Sequence, residues 1–392
     1  MYRFFSKERY ERMVRKIAII TLLIVIIGAS GAAYYLFRNR QVDDDCWKKV
    51  HLAEAMIEAN DFQGAVTHLL PVVQLGKRFR AADAALFALA RAYEGAGSTE
   101  SHLIWKRLVV EFPRSQYHDE ARLREAKSLL AKDPAAARDV FEKLAQNALA
   151  DVRDAAFVGL AQTFEAENNV SEARSLYYKV LESATMETTI AQAKDRLTEI
   201  NTQMLWSPIL DDFCELYEIQ RGDAPIKIAA KFKTTAWFIL ESNKLRGSLR
   251  PGSRIKVPKE PLRIVVDKST CRLNLLTESG RFVKWYPVGI GEQSYKTPAG
   301  DYTIKTKEVD PTWFSPNEGV KKPGDPDNAL GTRWMGIGSS LGIHGTNAPE
   351  TIGFRKSAGC IRMYNHDVEE LYKLVTYGTN VTITEKLIAS SQ

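Results

Sequence analysis

One histidine and one cysteine near the C-terminal end of the chain have types and a spacing that suit a nucleophile and its base. Ile343-His344-Gly345-Thr346-Asn347 is followed by Ser357-Ala358-Gly359-Cys360-Ile361-Arg362-Met363, with Cys360 sixteen residues after His344. The thiolate is the reactive form of cysteine, and a free thiol with a pKa of about 8.5 is little ionised at neutral pH. A cysteine nucleophile therefore needs an imidazole within hydrogen-bond reach. Gly345 and Gly359 let backbone N–H groups approach a substrate carbonyl, as stabilising a tetrahedral oxyanion requires. The stretch predicts acyl transfer. Arg362 is either a bidentate partner for a substrate carboxylate or a surface charge. Of six histidines, four (His51, His68, His102, His118) lie in the N-terminal part, leaving His344 and His366 near the cysteine. His366 stands in Tyr-Asn-His-Asp, a helix-start sequence, and reads as a solvated or capping residue. No His, Cys or Asp cluster has ligand spacing such as CxxC or HExxH, so no metal is expected. Thiolate and backbone donors suffice for the chemistry, and no cofactor is expected.

These residues resemble the catalytic motif of the L,D-transpeptidases (YkuD-type), peptidoglycan cross-linking enzymes whose pattern runs HGTN and, after a spacer, SHGCIR. The resemblance places Cys360 on the nucleophile, His344 on the general base, and Ser357, Gly359 and Arg362 on the flanking motif positions. Gly345 and Asn347 fall within HGTN, and Asn347 joins Arg362 as a residue expected to bind substrate. Ala358 departs from the pattern, which usually has a second histidine there. That puts rate and specificity in question more than reaction type.

The likeness runs from Leu262 to Thr384. Leu262 to Leu276 is similar to two β-branched strands around a turn, and Phe282 to Gly289 to a third. Lys296-Thr-Pro-Ala-Gly-Asp-Tyr302 is similar to a TPxGxF turn, Asn328 to Met335 to an NPLGxRWM segment, and Gly378 to Ile383 to a closing GTxVxI strand. Trp334 and Met335 are expected to pack beneath the site. Asp367 to Val375 has apolar residues at helical spacing (Val368, Leu371, Leu374, Val375) and predicts a short amphipathic helix covering the sheet.

At the other end, Ile17 to Phe37 is 21 residues without a charge, enough at about 1.5 Å per residue to cross a hydrocarbon core of about 30 Å. Arg3, Lys7, Arg9, Arg12, Arg15 and Lys16 precede it, which by the positive-inside rule puts the N-terminus in the cytoplasm and the rest of the chain outside. A cleaved signal peptide is the competing reading, with small residues at Gly28 to Ala33. The apolar run through Tyr34, Tyr35, Leu36 and Phe37 favours an uncleaved anchor. The formal charge of +6 belongs partly to this tail, so no nucleic-acid partner is inferred. Cys46, Cys214, Cys271 and Cys360 are scattered and form no obvious disulfide framework, although an oxidising compartment would allow Cys214 to pair with Cys271.

From Cys46 to about Trp206 the pattern is helical. Ala85 to Gly97 recurs in outline at Ala156 to Asn168, an offset of 71 residues, with Ala90 matching Ala161 and Tyr93 matching Phe164. The stretch resembles tetratricopeptide-type helical hairpins. A protein partner in a concave face is one reading, and a spacer between membrane and enzyme is the other. Next, Leu216 to Pro258 resembles a LysM domain, with strand, helix, helix and strand read at Tyr217 to Ile219, Ile226 to Phe232, Trp237 to Asn243 and Ile255 to Val257. The resemblance implies binding to N-acetylglucosamine polymers. Ala224-Pro225 stands where that family usually has Thr-Leu, and a proline there would weaken sugar contact.

The expected chain is multi-domain. It has a cytoplasmic tail (1–16), a transmembrane helix (17–37), all-α hairpin repeats (46–206), a βααβ LysM module (214–259) and a mainly-β catalytic domain (262–385). The expected function is a single-pass cell-envelope L,D-transpeptidase, its catalytic domain in the periplasm or cell-wall space. It would act on peptidoglycan stem peptides and glycan strands, with Cys360 acylated by a tetrapeptide stem and an amine acceptor resolving the thioester. An L,D-carboxypeptidase and a catalytically inactive wall-binding scaffold are the alternatives.

Overall fold

The structure is a computed structural model that describes residues 7–292, 294, 296–315 and 319–387. The first six residues of the basic tail lie outside the described residues. Two compact units divide the chain, one ending at Gly159 and the other beginning at Leu160.

In the first unit, α1 (Lys7–Glu58) is one unbroken helix of 52 residues. It joins the expected anchor to the first helix of the helical region, and residues 17–37 are exposed throughout. Beyond them, Cys46, Val50, Ala53 and Ile57 turn one stripe into the core, the i, i+4, i+7 spacing that brings residues to one helix face. They pack on α2 (Phe62–Gln74) and α3 (Ala82–Gly95), and α4 (Ser101–Glu111), α5 (His118–Leu129) and α6 (Pro134–Asn147) follow, each packed on its predecessor. Asp61 caps α2 by accepting from the Gly64 amide at 3.0 Å, and Asp133 caps α6 by accepting from Ala136 at 3.0 Å. Pro134 opens α6 at a position where a missing N–H costs nothing. α7 (Ala150–Ala166) crosses the division between the units.

The second unit holds α8 (Val170–Ser183), α9 (Glu187–Leu205), a small module over the expected LysM residues and the C-terminal sheets. In the module, β1 (Cys214–Glu218) pairs antiparallel with β2 (Arg254–Pro258), and α10 (Pro225–Lys231) and α11 (Ala236–Ser242) lie between them in sequence. Pro225 occupies the first position of α10. The Lys256 side chain of β2 is completely buried and donates to the Met204, Ser207 and Ile209 carbonyls and to Asp211 Oδ2, at 2.7, 3.3, 3.0 and 2.9 Å. One ammonium thus ties the segment after α9 to the module. Replacing Lys256 with methionine leaves Asp211 buried without a counter-charge, an expected loss of about 3–5 kcal/mol. Urea denaturation checks the loss, and faster amide exchange over residues 204–211 locates it.

The C-terminal region has a five-stranded sheet in the order β5-β4-β3-β15-β7: β5 is Phe282–Pro287, β4 Arg272–Thr277, β3 Leu262–Asp267, β15 Asn380–Thr384 and β7 Gly300–Thr303. Only the β3–β15 pairing is parallel. Edge strand β5 is covered by α9 through polar side chains. Asn201 Nδ2 donates to the Val283 carbonyl at 2.7 Å, and Thr198 Oγ1 accepts from the Trp285 amide at 3.2 Å. Tyr178 of α8 donates to the Phe282 carbonyl at 2.8 Å. Free edge groups that would otherwise invite another strand are satisfied this way.

A second sheet, of four strands, runs β14-β12-β11-β8: Ile361–Arg362, Gly342–His344, Arg333–Gly336 and Thr306–Val309. β6 (Ile290–Gly291) pairs parallel with β13 (Arg355–Ser357), and β9 (Trp313–Ser315) with β10 (Gly319–Lys321) as a hairpin. α12 (Asn365–Leu374) packs on β11 and β12 and buries Val368, Leu371 and Leu374, each side chain worth about 1.5–3 kcal/mol. Lys307 caps its C-terminal end, donating to the Tyr372 and Val375 carbonyls at 2.7 and 2.5 Å, and burial pushes its amine down to about 8. Glu370 anchors the middle of α12. It accepts from Trp206 Nε1 (2.8 Å), Lys284 Nζ (2.6 Å) and the Tyr286 hydroxyl (3.2 Å), which ties α12 to β5 and to the end of α9.

Candidate active site

Strand alternation sorts the four-stranded sheet into two faces. Met335, Ile343 and Ile361 stand side by side in register and are fully buried. The next row, Trp334, His344 and Arg362, is in register on the opposite face. Met335 therefore lies beneath the site as expected, whereas Trp334 shares the face of His344. Its ring stacks on the imidazole with centroids 5.6 Å apart and planes at 26°. The row beyond Trp334 and His344 is Gly336 and Gly342. A Cβ on Gly342 would fall 2.4 Å from the Trp334 ring, so glycine is required there for the indole to lie flat across the strands.

Cys360 immediately precedes β14. Its Sγ lies 3.5 Å from the Ser340 carbonyl, and the Gly342 amide donates to it. The thiol thus sits at the level of Gly342, two residues along β12 from His344, and both groups feel the Arg362 guanidinium. Burial pushes the Cys360 thiol up, while the Gly342 amide and Arg362 pull against it. His344 is buried, and loss of solvation lowers its pKa to about 4 despite the Gly345 hydrogen bond. Nδ1 is 2.7 Å from the Gly345 carbonyl, which can only accept. Nδ1 must carry the proton, which leaves Nε2 as the basic nitrogen. At neutral pH the pair rests as thiol and neutral imidazole.

The loop before Cys360 is held from inside. Ser357 Oγ accepts from the Gly359 amide at 3.2 Å and donates to the Cys360 carbonyl at 2.6 Å. Gly359 has a φ of +113°, a conformation that glycine adopts without strain. The Gly359 amide is engaged there, and the Gly345 amide donates to the Arg333 carbonyl at 3.1 Å. Both glycines shape the loops rather than offer free donors. Thr297, fully buried, braces the same turn by donating to the Gly359 carbonyl at 2.7 Å while accepting from Gly291 at 2.8 Å.

Asn365, the first residue of α12, does the same for the histidine loop. Oδ1 accepts from the Thr346 amide at 3.1 Å and the Thr332 amide at 3.4 Å, and Nδ2 donates to the Thr346 carbonyl at 3.0 Å. Gly345 and Gly331 come so close that a Cβ on either would lie 2.1 or 2.2 Å from Asn365 Oδ1. Nothing in the local sequence singles out Asn365, and its neighbour His366 reads as a solvated or capping residue. The structure leaves His366 exposed, stacked on Tyr364 and 3.4 Å from Asp367. Asn347 is exposed too, its Nδ2 donating to the Pro326 carbonyl at 3.1 Å. Arg362 is half-buried, and its Nε is buried with no hydrogen-bond partner among the described residues. Cys46, Cys214 and Cys271 are buried and free, so the pairing allowed for Cys214 and Cys271 is not made. Burial pushes the Cys214 thiol up to about 12.

Comparison with known proteins agrees with this architecture. The L,D-transpeptidase catalytic domain model matches residues 261–383, and the LysM domain model matches residues 217–258. A Bacillus licheniformis protein carrying the name L,D-transpeptidase YkuD is 36% identical over 178 residues, 43% of this chain and 98% of that relative. Its Bacillus subtilis namesake is 33% identical over 177 residues, 43% of this chain and 97% of that relative. The Bacillus subtilis protein carrying the name L,D-transpeptidase YqjB is 36% identical over 136 residues, 33% of this chain and 74% of that relative. Since two relatives are covered almost end to end, by a chain that also carries the LysM module and the sheet with Cys360 and His344, the chain belongs to the YkuD-type L,D-transpeptidase family.

Proposed function

We propose that this chain is a cell-envelope L,D-transpeptidase with Cys360 as nucleophile and His344 as its acid and base. The observation that carries the reading is the placement of the Cys360 thiol two residues along β12 from an imidazole whose Nδ1 is pinned to the Gly345 carbonyl. As Cys360 Sγ attacks the peptide carbonyl that precedes the terminal D-residue of a tetrapeptide stem, the thiol proton passes to His344 Nε2. The oxyanion is held by the Cys360 amide, since the Gly359 amide is engaged. The C–N bond then breaks, His344 returns the proton to the leaving amine, and a thioester remains. An amine of a second stem attacks the thioester carbonyl and gives a proton to His344, the C–S bond breaks as the amide forms, and His344 returns the proton to Sγ, regenerating the thiol. The Arg362 Nε, which has no hydrogen-bond partner among the described residues, suits a substrate carboxylate or carbonyl. The apolar run of α1 serves as a single-pass anchor with the N-terminus in the cytoplasm, the helical hairpins resemble tetratricopeptide repeats, and the LysM module (214–259) supplies glycan affinity to the catalytic domain (262–385).

The test is incubation of the protein with tetrapeptide-containing muropeptides, read by mass spectrometry. Cross-linked dimers and an acyl adduct on the Cys360 peptide are expected. Trimmed monomers without dimers would make water the acceptor and the enzyme a carboxypeptidase, and unreacted muropeptides would leave a wall-binding scaffold.

Asn365 acts here as a positioning residue for His344. Asn365→Ala is expected to lower kcat for acylation by about 100-fold, the scale of a misplacement of order 1 Å. KM should hold, because no substrate contact is removed. A change in KM with kcat intact would refute the role.

A further inference from the structure

Away from the Cys360 face, a cavity of about 620 Å³ lies between the α8–α9 hairpin and the five-stranded sheet, within the range of about 300–1,000 Å³ usual for small-molecule sites. Its lining joins two chemistries. Leu181, Ile190, Val265, Leu276 and Phe282 are apolar, while Lys194, Arg263, Arg281 and Lys386 bring four cations against one carboxylate, Glu182.

Two of those cations are neutralised. Arg281 pairs with Asp212 at 2.8 Å and Lys386 with Glu187 at 2.7 Å. Among the described residues, Lys194 and Arg263 have no carboxylate in contact. Lys194 Nζ has one long hydrogen bond, to Asn274 Oδ1 at 3.5 Å, and otherwise faces the rings of Phe282 and Trp285 at 5.3 and 5.7 Å. Asp267 acts on it only electrostatically, and burial lowers its pKa. Arg263 gives one bond, from Nε to the Thr277 carbonyl at 3.3 Å. Both side chains are half-buried, and cations with so few acceptors are completed by an anion.

We infer that this cavity binds a single-chain amphipathic anion, an acyl or alkyl chain ending in a carboxylate or phosphate. An inorganic anion would satisfy Lys194 and Arg263 but leave the apolar lining wet. A neutral hydrocarbon would do the reverse. An anionic amphiphile meets both, with its head group between Lys194 and Arg263 and its chain along Ile190, Val265 and Leu276. A chain with an apolar helix of membrane-spanning length would meet such molecules in a bilayer. The site shares no residue with the catalytic face, so it stands or falls apart from the chemistry at Cys360.

The test photolabels the full chain in phospholipid nanodiscs with a diazirine-bearing palmitate and, in a second arm, with a diazirine-bearing hexadecyl phosphate. Peptide mass spectrometry maps the adducts. Adducts within residues 181–194 and 263–282 are expected, and the arm that labels identifies the head group. Labelling there should fall at least tenfold in the Lys194→Met, Arg263→Gln double variant. It should also be lost in Ile190→Trp, which fills the cavity without touching a charge and serves if the double variant fails to fold. Adducts confined to residues 17–37, or cavity adducts unchanged in both variants, would overturn the site.

Discussion

Replacing Cys360 with alanine is expected to abolish the acyl adduct and reduce product formation by at least about 10⁴-fold, the scale on which loss of a nucleophile acts. Neither Ser340 nor Ser357 can substitute. Ser340 meets the thiol through its carbonyl, and the Ser357 hydroxyl is buried and committed to the Gly359 amide and the Cys360 carbonyl. Cys360→Ser is expected to be nearly as inactive. The resting pair is neutral, and a hydroxyl is harder to deprotonate than a thiol in a site whose burial already opposes the anion. The fold should survive both changes, because the side chain is only partly buried and meets only the Ser340 carbonyl and the Gly342 amide. Intact-mass spectrometry in single turnover, with thermal unfolding as the control, checks the pair. An adduct that persists on the alanine variant would place the nucleophile elsewhere.

The elements that carry the candidate site were legible because motif residues are local and their strands alternate. His344 at a strand end, the strand pair after Leu262 and the helix over Asp367 to Val375 follow from spacing, and β12, β3, β4 and α12 stand there. What spacing could not show is which backbone groups remain free once the loops close. Gly345 and Gly359 read as oxyanion donors because glycine permits close approach. In the fold that closeness is used by Asn365 Oδ1 at Gly345 and by Ser357 Oγ at Gly359. Asn365 lies 21 residues from His344 in sequence, and its contacts exist only after α12 has packed on the sheet.

Likewise, Thr198, Asn201 and Thr202 look like the solvated face of a repeat helix. They instead meet strand β5, at the Trp285 amide, the Val283 carbonyl and the Lys284 ammonium. A polar helix face aimed at a strand edge has the same sequence signature as one aimed at water. That is why the α8–α9 hairpin reads as part of one helical stretch although it is packed into the second compact unit. Lys256 misleads in the same way, since a lysine on an alternating strand reads as outward-facing until the carbonyls of residues 204–209 close around it.

His344 should set the response to acid in two separable ways. Its folded pKa of about 4 lies below the ordinary histidine value of 6.5, so the unfolded chain binds the proton more readily than the folded one. Stability therefore depends on neutral His344. It is fully present above pH 6.5 and is lost as the pH falls toward 4, by about 3 kcal/mol at 1.36 kcal/mol per pKa unit. Other carboxylates titrate in the same window, so the diagnostic quantity is the difference between wild type and His344→Gln. The glutamine variant should lack this component, so the stability difference between the two should shift against wild type by about 3 kcal/mol as the pH falls from 6.5 to 4. Activity follows the same proton. Because Nε2 stays unprotonated down to about pH 4, the acid limb of acylation should fall near 4 rather than near 6.5. At pH 7, His344→Gln should cost about 10²–10⁴-fold, the usual contribution of a positioned base. An acid limb near 6.5 would mean that the imidazole is solvated or stabilised as a cation beside a thiolate. The neutral pair, and with it proton transfer at the moment of attack, would then be wrong.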